Sequence, residues 1–309
     1  MKILLLGSSG LVGSNIIKYF SKKYIIYATY NSTKPKFYRK NVKYIKINLL
    51  QNNKCKPLKK LDFEGIIDCG WIGVFGLQRN NQMQKKNEKY TKNLIELMKV
   101  SKKVKFLISF GSQAEYGPSN KPITEKKKLQ PQTLYGKQKI KKFNKLSIFC
   151  KKNKIRFIWF RIFSTYGDHE IKDWLIPYAI RNMILNKKIK FTDGKQKWDY
   201  LHISDIVSAV KLACINKKIA GIFNLSSNKP VKVKTIIMKI KQFTKYNKKI
   251  FFGDVEYRKD QITYLNGINK KLKSFKWKPR ISMAKGLKST ILIFKKKLIK
   301  SRSFKSHLI

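Results

Sequence analysis

Acidic residues are scarce in this chain of 309 residues: 16 Asp and Glu stand against 71 Lys and Arg, a formal charge of +55. Such an excess ordinarily points to a nucleic acid or an anionic membrane. Arginine, however, the side chain suited to bidentate phosphate and base recognition, supplies only eight of the 71 cations. The lysines run along the whole chain instead of forming one block, so they read mainly as solvated surface, with no specific nucleic-acid partner. Self-repulsion should still make stability depend on salt and the surface adhesive to RNA. Four cysteines (Cys55, Cys69, Cys150, Cys214) lack metal-binding spacing and read as reduced, mostly buried thiols of a cytoplasmic protein. The three histidines, His169, His202 and His307, are too far apart in sequence to suggest a metal site. No apolar run approaches a membrane span, and the opening Met1–Leu6 is too short for a secretory signal, so no membrane partner is expected.

What the chain does contain is alternation. Short β-rich runs at 2–6, 24–29, 42–47, 65–68, 104–109, 156–161 and 221–225 are interleaved with helical patterns at 12–22, 82–102, 134–153 and 204–216. This predicts an α/β fold, a Rossmann-type doubly wound parallel sheet with a smaller C-terminal substrate-binding lobe. Runs such as Phe157-Ile158-Trp159-Phe160 are apolar throughout, as strands covered on both faces should be. The dinucleotide-binding domain is expected over 1–167, with 198–226 returning to it. Residues 168–197 and 227–309 are assigned to the lobe, and the tail from Phe294 to Ile309 is expected to be a frayed, solvated end.

Directly after the first strand stands Gly7-Ser8-Ser9-Gly10-Leu11-Val12-Gly13, followed by an amphipathic helix. Glycines at this spacing allow a tight turn and close backbone approach to a pyrophosphate, while the helix N-terminus supplies amide donors. The second strand ends in Tyr30-Asn31-Ser32, without the acid that commonly holds the ribose hydroxyls of NAD. Lys34, Lys36 and Arg39 follow, which suits a 2′-phosphate and favours NADP over NAD as cofactor.

Near the middle of the chain, Tyr135 and Lys139 are spaced to share one helix face. A cation held beside a phenol favours the tyrosinate, and with the Ser112 hydroxyl such a pair can exchange a proton with a sugar hydroxyl. In so lysine-rich a chain the spacing alone is weak; the order of the surrounding motifs gives it weight.

Taken together, these motifs resemble the extended short-chain dehydrogenase/reductase superfamily, in its NAD-dependent epimerase/dehydratase branch acting on nucleotide sugars. Besides the glycine loop and Tyr135/Lys139, the likeness rests on Asn87, Arg161-Ile162-Phe163-Ser164-Thr165-Tyr166-Gly167, Trp198-Asp199-Tyr200-Leu201-His202, Phe223-Asn224-Leu225 and Trp277-Lys278-Pro279. It implies that Gly7, Gly10, Leu11, Val12 and Gly13 hold the cofactor phosphates, that Asn48 and Leu49 flank the adenine, and that Gly70 lines the dinucleotide cleft. The family more often has Asp where Asn48 stands. Tyr135 would be the acid/base residue, Lys139 would also bond the nicotinamide ribose, and Ser112 would bond the reacting sugar oxygen. Gln113, Ser164, Trp198 and Arg258 would contact a nucleotide-sugar substrate, Arg258 at its diphosphate. Trp198 either stacks on a base or sugar face or caps the lobe. A homodimer through helices 82–102 and 134–153 is also implied.

One departure and one narrower likeness sharpen the reading. Sugar-nucleotide 4,6-dehydratases place Thr-Asp-Glu before the Tyr-Gly corner, where this chain has Ser112-Gln113-Ala114 and a carboxylate one residue later, at Glu115. Dehydration is therefore disfavoured. The stretch Trp71-Ile72-Gly73-Val74-Phe75-Gly76 with Arg79-Asn80 is similar to the CDP-abequose synthase type, enzymes that reduce a 4-keto-6-deoxy sugar on a nucleotide. The resemblance thus implies reduction of such a sugar, or 4-epimerisation, for surface polysaccharide synthesis. A non-catalytic dinucleotide- or RNA-binding relative is the alternative, and the retention of Ser112, Tyr135 and Lys139 argues against it.

Overall fold

The computed structural model describes all residues except 34, 36–38, 52–55, 102, 169–173, 259–260 and 304–309. Strands β1 (Lys2–Leu6), β2 (Ile25–Tyr30), β3 (Val42–Lys46), β4 (Gly65–Asp68), β5 (Phe106–Ser112), β6 (Arg156–Ile162) and β7 (Gly221–Leu225) form one sheet. Every pairing in it is parallel, in the order β7-β6-β5-β4-β1-β2-β3. The chain winds outward from β1 to β3, then restarts at β4 and winds the other way. That reversal leaves a crevice at the C-terminal ends of β1 and β4, where a doubly wound sheet binds its ligand. The Gly7 loop and the Cys69–Trp71 segment emerge there.

Helices α1 (Leu11–Phe20), α2 (Lys86–Val100), α3 (Leu134–Lys152) and α4 (Ile203–Ile215) cover the sheet. Alternate residues of a strand face opposite sides, so Ile3 and Leu5 join Ile16, Ile17 and Phe20 of α1 with Ile206 and Val210 of α4. Leu4 and Leu6 join Leu94 and Leu97 of α2 with Leu146 of α3. Each fully buried aliphatic side chain contributes roughly 1.5–3 kcal/mol, which is why central strands such as β6 are apolar on both faces.

A third apolar cluster forms the lobe, from helices Leu175–Ile184, Val233–Thr244 and Met283–Ser303. Small strand pairs accompany it, Ile189–Phe191 with Ile250–Phe252, and Lys197–Trp198 between Val231–Lys232 and Tyr264–Leu265. Within 227–309, Leu272, Phe275 and Trp277 pack instead against the sheet's own core, and Trp277 Nε1 donates to Ser208 Oγ of α4 at 2.9 Å.

Two elements differ from the sequence expectation. The helix expected over 82–102 is capped at its expected start, where Asn81 is extended (ψ 145°) and its side chain accepts from Met83 N at 2.8 Å, but its first turn, Gln82–Lys85, is 3-10 and the α-helix runs Lys86–Val100. The tail expected to fray from Phe294 continues as helix to Ser303, since Phe294 packs on the lobe cluster and Lys297 Nζ reaches Asp168 at 2.6 Å. Among the described residues no helix is long and apolar enough to cross a membrane, and no His/Cys/Asp/Glu group could hold a metal ion. The three described cysteines are free thiols, while Cys55, His169 and His307 lie outside the described residues.

Candidate active site

Strand β5 ends at Ser112, whose extended backbone caps a short 3-10 turn, Gln113–Glu115. The Ser112 hydroxyl accepts from Ala114 N (3.2 Å), and the Ser112 backbone N–H donates to Glu115 Oε1 (2.8 Å), a reciprocal capping box. Glu115 is wholly buried and its other oxygen accepts from Arg161 Nε at 2.6 Å. Burial pushes its pKa above the usual carboxylate value, against the attraction of Arg161 and the hydrogen bonds from Ser112 and Trp159. The carboxylate that distinguishes this chain from the dehydratases is thus turned into the core, holding Ser112 in place.

Helix α3 brings the second component. Thr133 caps it by accepting from Gly136 N at 3.1 Å, and a Cβ at Gly136 would stand 2.5 Å from Ala114 O. Only glycine lets the start of α3 lie against the Ser112 turn. Tyr135 and Lys139 therefore enter one buried corner with Ser112, and all three line the same cavity. Burial raises the Tyr135 pKa, with the Arg79 charge and the nearby Ser112 hydroxyl pulling the other way. Lys139 is pushed down to about 7 by burial and by repulsion from Lys142, against the pull of Asp68, Glu115 and Cys69. Its Nζ donates to Phe110 O at 2.7 Å and lies 3.8 Å from the centre of the Trp71 ring.

Behind Lys139, the Lys142 ammonium pairs with Asp68 at 2.6 Å, both side chains being sealed from solvent. Asp68 also accepts from Tyr90 Oη (2.7 Å), Ser109 Oγ (2.7 Å) and Gly70 N (3.2 Å). Burial would raise the Asp68 pKa, but Lys142 and these hydroxyls hold it below the ordinary carboxylate value.

These groups open onto a cavity of about 700 Å³ lined by Gly10, Leu11, Val12 and Gly13 at one side, by Ser112, Gln113, Tyr135 and Lys139 in the middle, and by Ser164, Trp198 and Arg258 from the lobe side. The glycine loop fits a dinucleotide. A Cβ at Gly7 (φ +74°) would stand 2.9 Å from Cys69 C, and one at Gly13 would stand 2.3 Å from Gly7 O, so both are demanded by the protein's own packing. Gly10 is different: a Cβ there would meet only Gly7 O, at an ordinary 3.7 Å, so the protein's own packing does not demand glycine at this position. Helix α1 starts there without a side-chain cap or an acid in its first turn, so its amides are available to an anion.

The remaining sequence candidates fall into place unevenly. Gln113 Oε1 is buried at the cavity without a hydrogen-bond partner among the described residues. Trp198 donates from Nε1 to Ile262 O at 2.8 Å and presents its ring to the cavity, whereas Arg258 is exposed at its edge. Asn48 and Leu49 lie after β3 and outside this cavity; Asn48 Oδ1 accepts from Leu50 N, and Leu49 is core. Gly70 is small because the Tyr90 hydroxyl crowds it at 2.1 Å from its Cβ position. Asn87 pins the Trp71 segment by bonding both Ile72 N and Ile72 O. Arg39 is exposed, while Lys34 and Lys36 lie outside the described residues. Sequence reasoning missed Asp68 and Lys142 altogether and gave Trp71 and Arg79 no chemical role. The one signal, a lysine three residues after Lys139, was hidden among the lysines.

A doubly wound sheet with a glycine-loop crevice and a Ser-Tyr-Lys corner defines a dinucleotide-dependent class of proteins. The NAD dependent epimerase/dehydratase family model matches residues 3–226, and the chain belongs to that family, whose members are enzymes acting on nucleotide sugars. The chain is 30% identical over 137 residues to a CDP-abequose synthase of Salmonella muenchen, covering 44% of this chain and 47% of that protein. It is 27% identical over 195 residues to a dTDP-4-dehydro-6-deoxyglucose reductase of Escherichia coli, 60% of each. Its fold matches a UDP-glucose 4-epimerase of Thermotoga maritima with a TM-score of 0.87 at 21% identity, over 96% of this chain and all of the other.

Proposed function

We propose that the protein is a nicotinamide-dependent oxidoreductase or epimerase acting at C4 of a nucleotide-linked hexose, with Tyr135 as acid/base. The convergence of Ser112, Tyr135 and Lys139 on one cavity continuous with the Gly10 loop carries this reading. The dinucleotide, held by Gly7, Gly10, Leu11, Val12 and Gly13, supplies or accepts a hydride at the sugar carbon. Tyr135 delivers a proton to the forming alkoxide when a 4-keto sugar is reduced, and removes it from the C4 hydroxyl in the opposite direction. Ser112 holds that oxygen by hydrogen bond, and Gln113 Oε1, buried without a partner, accepts from a neighbouring sugar hydroxyl. Trp198 and Arg258 receive the nucleotide end, Arg258 through the diphosphate.

Reduction of a 4-keto-6-deoxy sugar draws support from the likeness to the CDP-abequose synthase and the dTDP-sugar reductase, and 4-epimerisation from the same residue set. Dehydration is disfavoured because Glu115 is engaged by Arg161 away from the cavity. The preference for NADP over NAD rests on the acid-free end of β2. Self-association would use the outer faces of α2 and α3. The test is denaturing release of any bound dinucleotide, followed by assay of Tyr135→Phe. Tightly bound NAD+ indicates epimerisation, whereas an empty protein preferring NADPH indicates reduction. Turnover by Tyr135→Phe at the parental rate would sink the mechanism.

A further inference from the structure

The segment after Trp71 brings a guanidinium to the Tyr135 end of the cavity. Gly73 (φ +75°) and Gly76 (φ +46°) adopt left-handed backbone, and the 3-10 turn Gly76–Asn80 folds back toward Tyr135. The turn is tied on two sides: the Gln84 side-chain amide donates to Gly73 O and Gln78 O, and Asn80 Oδ1 accepts from Leu134 N at 3.2 Å. The Arg79 guanidinium carbon lies 4.9 Å from the centre of the Tyr135 ring, in the cavity wall. Its Nε is buried without a hydrogen-bond partner among the described residues. Other donors on this side are engaged elsewhere: Trp71 Nε1 donates to Gln84 Oε1 at 3.1 Å, and Lys139 Nζ to Phe110 O at 2.7 Å. Val74 and Phe75 add apolar surface. Among the described residues lining the cavity none is acidic, so no carboxylate of the wall offsets the Arg79 charge.

We propose that Arg79 determines which sugars the enzyme accepts, its guanidinium donating to an oxygen substituent next to C4, on C3 or at C6. The assignment rests on the proposed action at C4: Tyr135 fixes where the C4 oxygen lies, and Arg79 stands against that tyrosine on a turn bonded in place. Neighbouring oxygens of a pyranose are within a hydrogen bond's reach of one another. A sugar held at Tyr135 through C4 therefore presents one of them to the guanidinium. A buried donor without an acceptor keeps its full desolvation cost, and a ligand oxygen removes it. A sugar lacking that oxygen leaves the donor unpaired, so the site rejects it far more strongly than the apolar surface of Val74 and Phe75 could. Two kinds of oxygen meet the requirement, a hydroxyl or, at C6, a carboxylate, which matches the guanidinium fork. A 6-deoxy sugar satisfies it only at C3.

The test is calorimetric titration of the full chain, carrying its preferred dinucleotide, with UDP-, dTDP- and CDP-glucose and with the matching nucleoside diphosphates. Arg79→Gln should weaken binding of the nucleotide-linked glucose at least about tenfold, or roughly 1.4 kcal/mol. It should bind the bare diphosphate and the dinucleotide as the parent does, which also shows that the fold is intact. Arg79→Lys, with the charge but without the fork, should recover only part of the loss. Three analogues on the preferred nucleotide then identify the oxygen in the parent. A comparable loss with 3-deoxyglucose assigns C3, a comparable loss with xylose, which lacks C6, assigns C6, and tighter binding of glucuronate assigns a carboxylate. Equal weakening of the bare diphosphate in Arg79→Gln places the guanidinium at the phosphates and overturns the inference. Unchanged binding of the nucleotide-linked glucose overturns it too, as does a parent that binds all four sugars alike. A parent that binds no nucleotide sugar at all overturns the action at C4 as well, a result distinct from the other three.

Discussion

Lys142 and Asp68 meet at 2.6 Å with both side chains sealed from solvent, one helical turn beyond Lys139. The pair joins α3 to the end of β4, and its ammonium also lies 4.7 Å from the Tyr90 ring centre and 5.4 Å from that of Trp71. One ion pair thus fixes the floor of the crevice and sets the field at Lys139. Removing one partner leaves an uncompensated buried charge. Lys142→Met should cost about 3–5 kcal/mol of stability, and Asp68→Asn added to it should recover most of the loss. Chemical denaturation of the two variants checks this; equal stability of Lys142→Met and the parent would show that the pair holds nothing.

Gly10 and Gly13 should respond in opposite ways to alanine. At Gly13 the new methyl meets Gly7 O at 2.3 Å, so the loop must shift, at a cost of about 1–3 kcal/mol. At Gly10 the methyl meets only Gly7 O, at an ordinary 3.7 Å, but would occupy the space proposed for the phosphate. Gly10→Ala should therefore keep its melting temperature and lose at least about tenfold in dinucleotide affinity, or roughly 1.4 kcal/mol. Calorimetric titration with NAD+ and NADP+ measures the second effect directly.

His202 should make the fold acid-sensitive. Burial, assisted by repulsion from Lys18, pushes its pKa down to about 4 from 6.5, and its Nδ1 accepts from Ser204 N. Between these values the unfolded chain binds the proton and the folded one does not. Stability is therefore lost as pH falls from about 6.5 toward 4, by up to about 3 kcal/mol from this group. Denaturation midpoints measured across that window should fall less steeply in His202→Asn.

Self-association through α2 and α3 should respond to ionic strength. Their outer faces expose Lys86, Lys89, Lys92 and Lys99 on one helix and Lys137, Lys141 and Lys145 on the other. Only Glu88 and Glu96 on these helices offset them, and Glu88 is shared between Lys141 and Lys145. Two such faces brought together repel, and salt screens that repulsion over about 8–10 Å. Sedimentation should show the dimer fraction rising with salt; a dimer equally stable at low salt would place the interface elsewhere.

Much of this architecture was legible in the sequence because it follows from local period. Apolar runs of strand length between amphipathic helices imply the parallel sheet, and the Gly7, Gly10 and Gly13 spacing marks the crevice. The Tyr135/Lys139 spacing needs only the pitch of a helix. What stayed hidden depends on contacts across the fold. Asp68 ends a strand 74 positions before Lys142, and Arg79 reaches Tyr135 only because Asn80 ties its turn to α3. The 3-10 first turn, Gln82–Lys85, of the helix expected over 82–102 follows a side-chain cap at Asn81, and helix to Ser303 came from lobe packing of Phe294. Neither has a periodic signature.

The order of the strands bears on synthesis. Strand β7 completes the sheet against β6, but the lobe helix Leu175–Ile184 and helix α4 are made between them. A chain still emerging from the ribosome presents β6, apolar on both faces, as an open edge until that later strand arrives. Its lysine coat then serves nascent chains as well as finished ones: like-charged segments at such an edge hold neighbouring copies apart while the last strand is awaited.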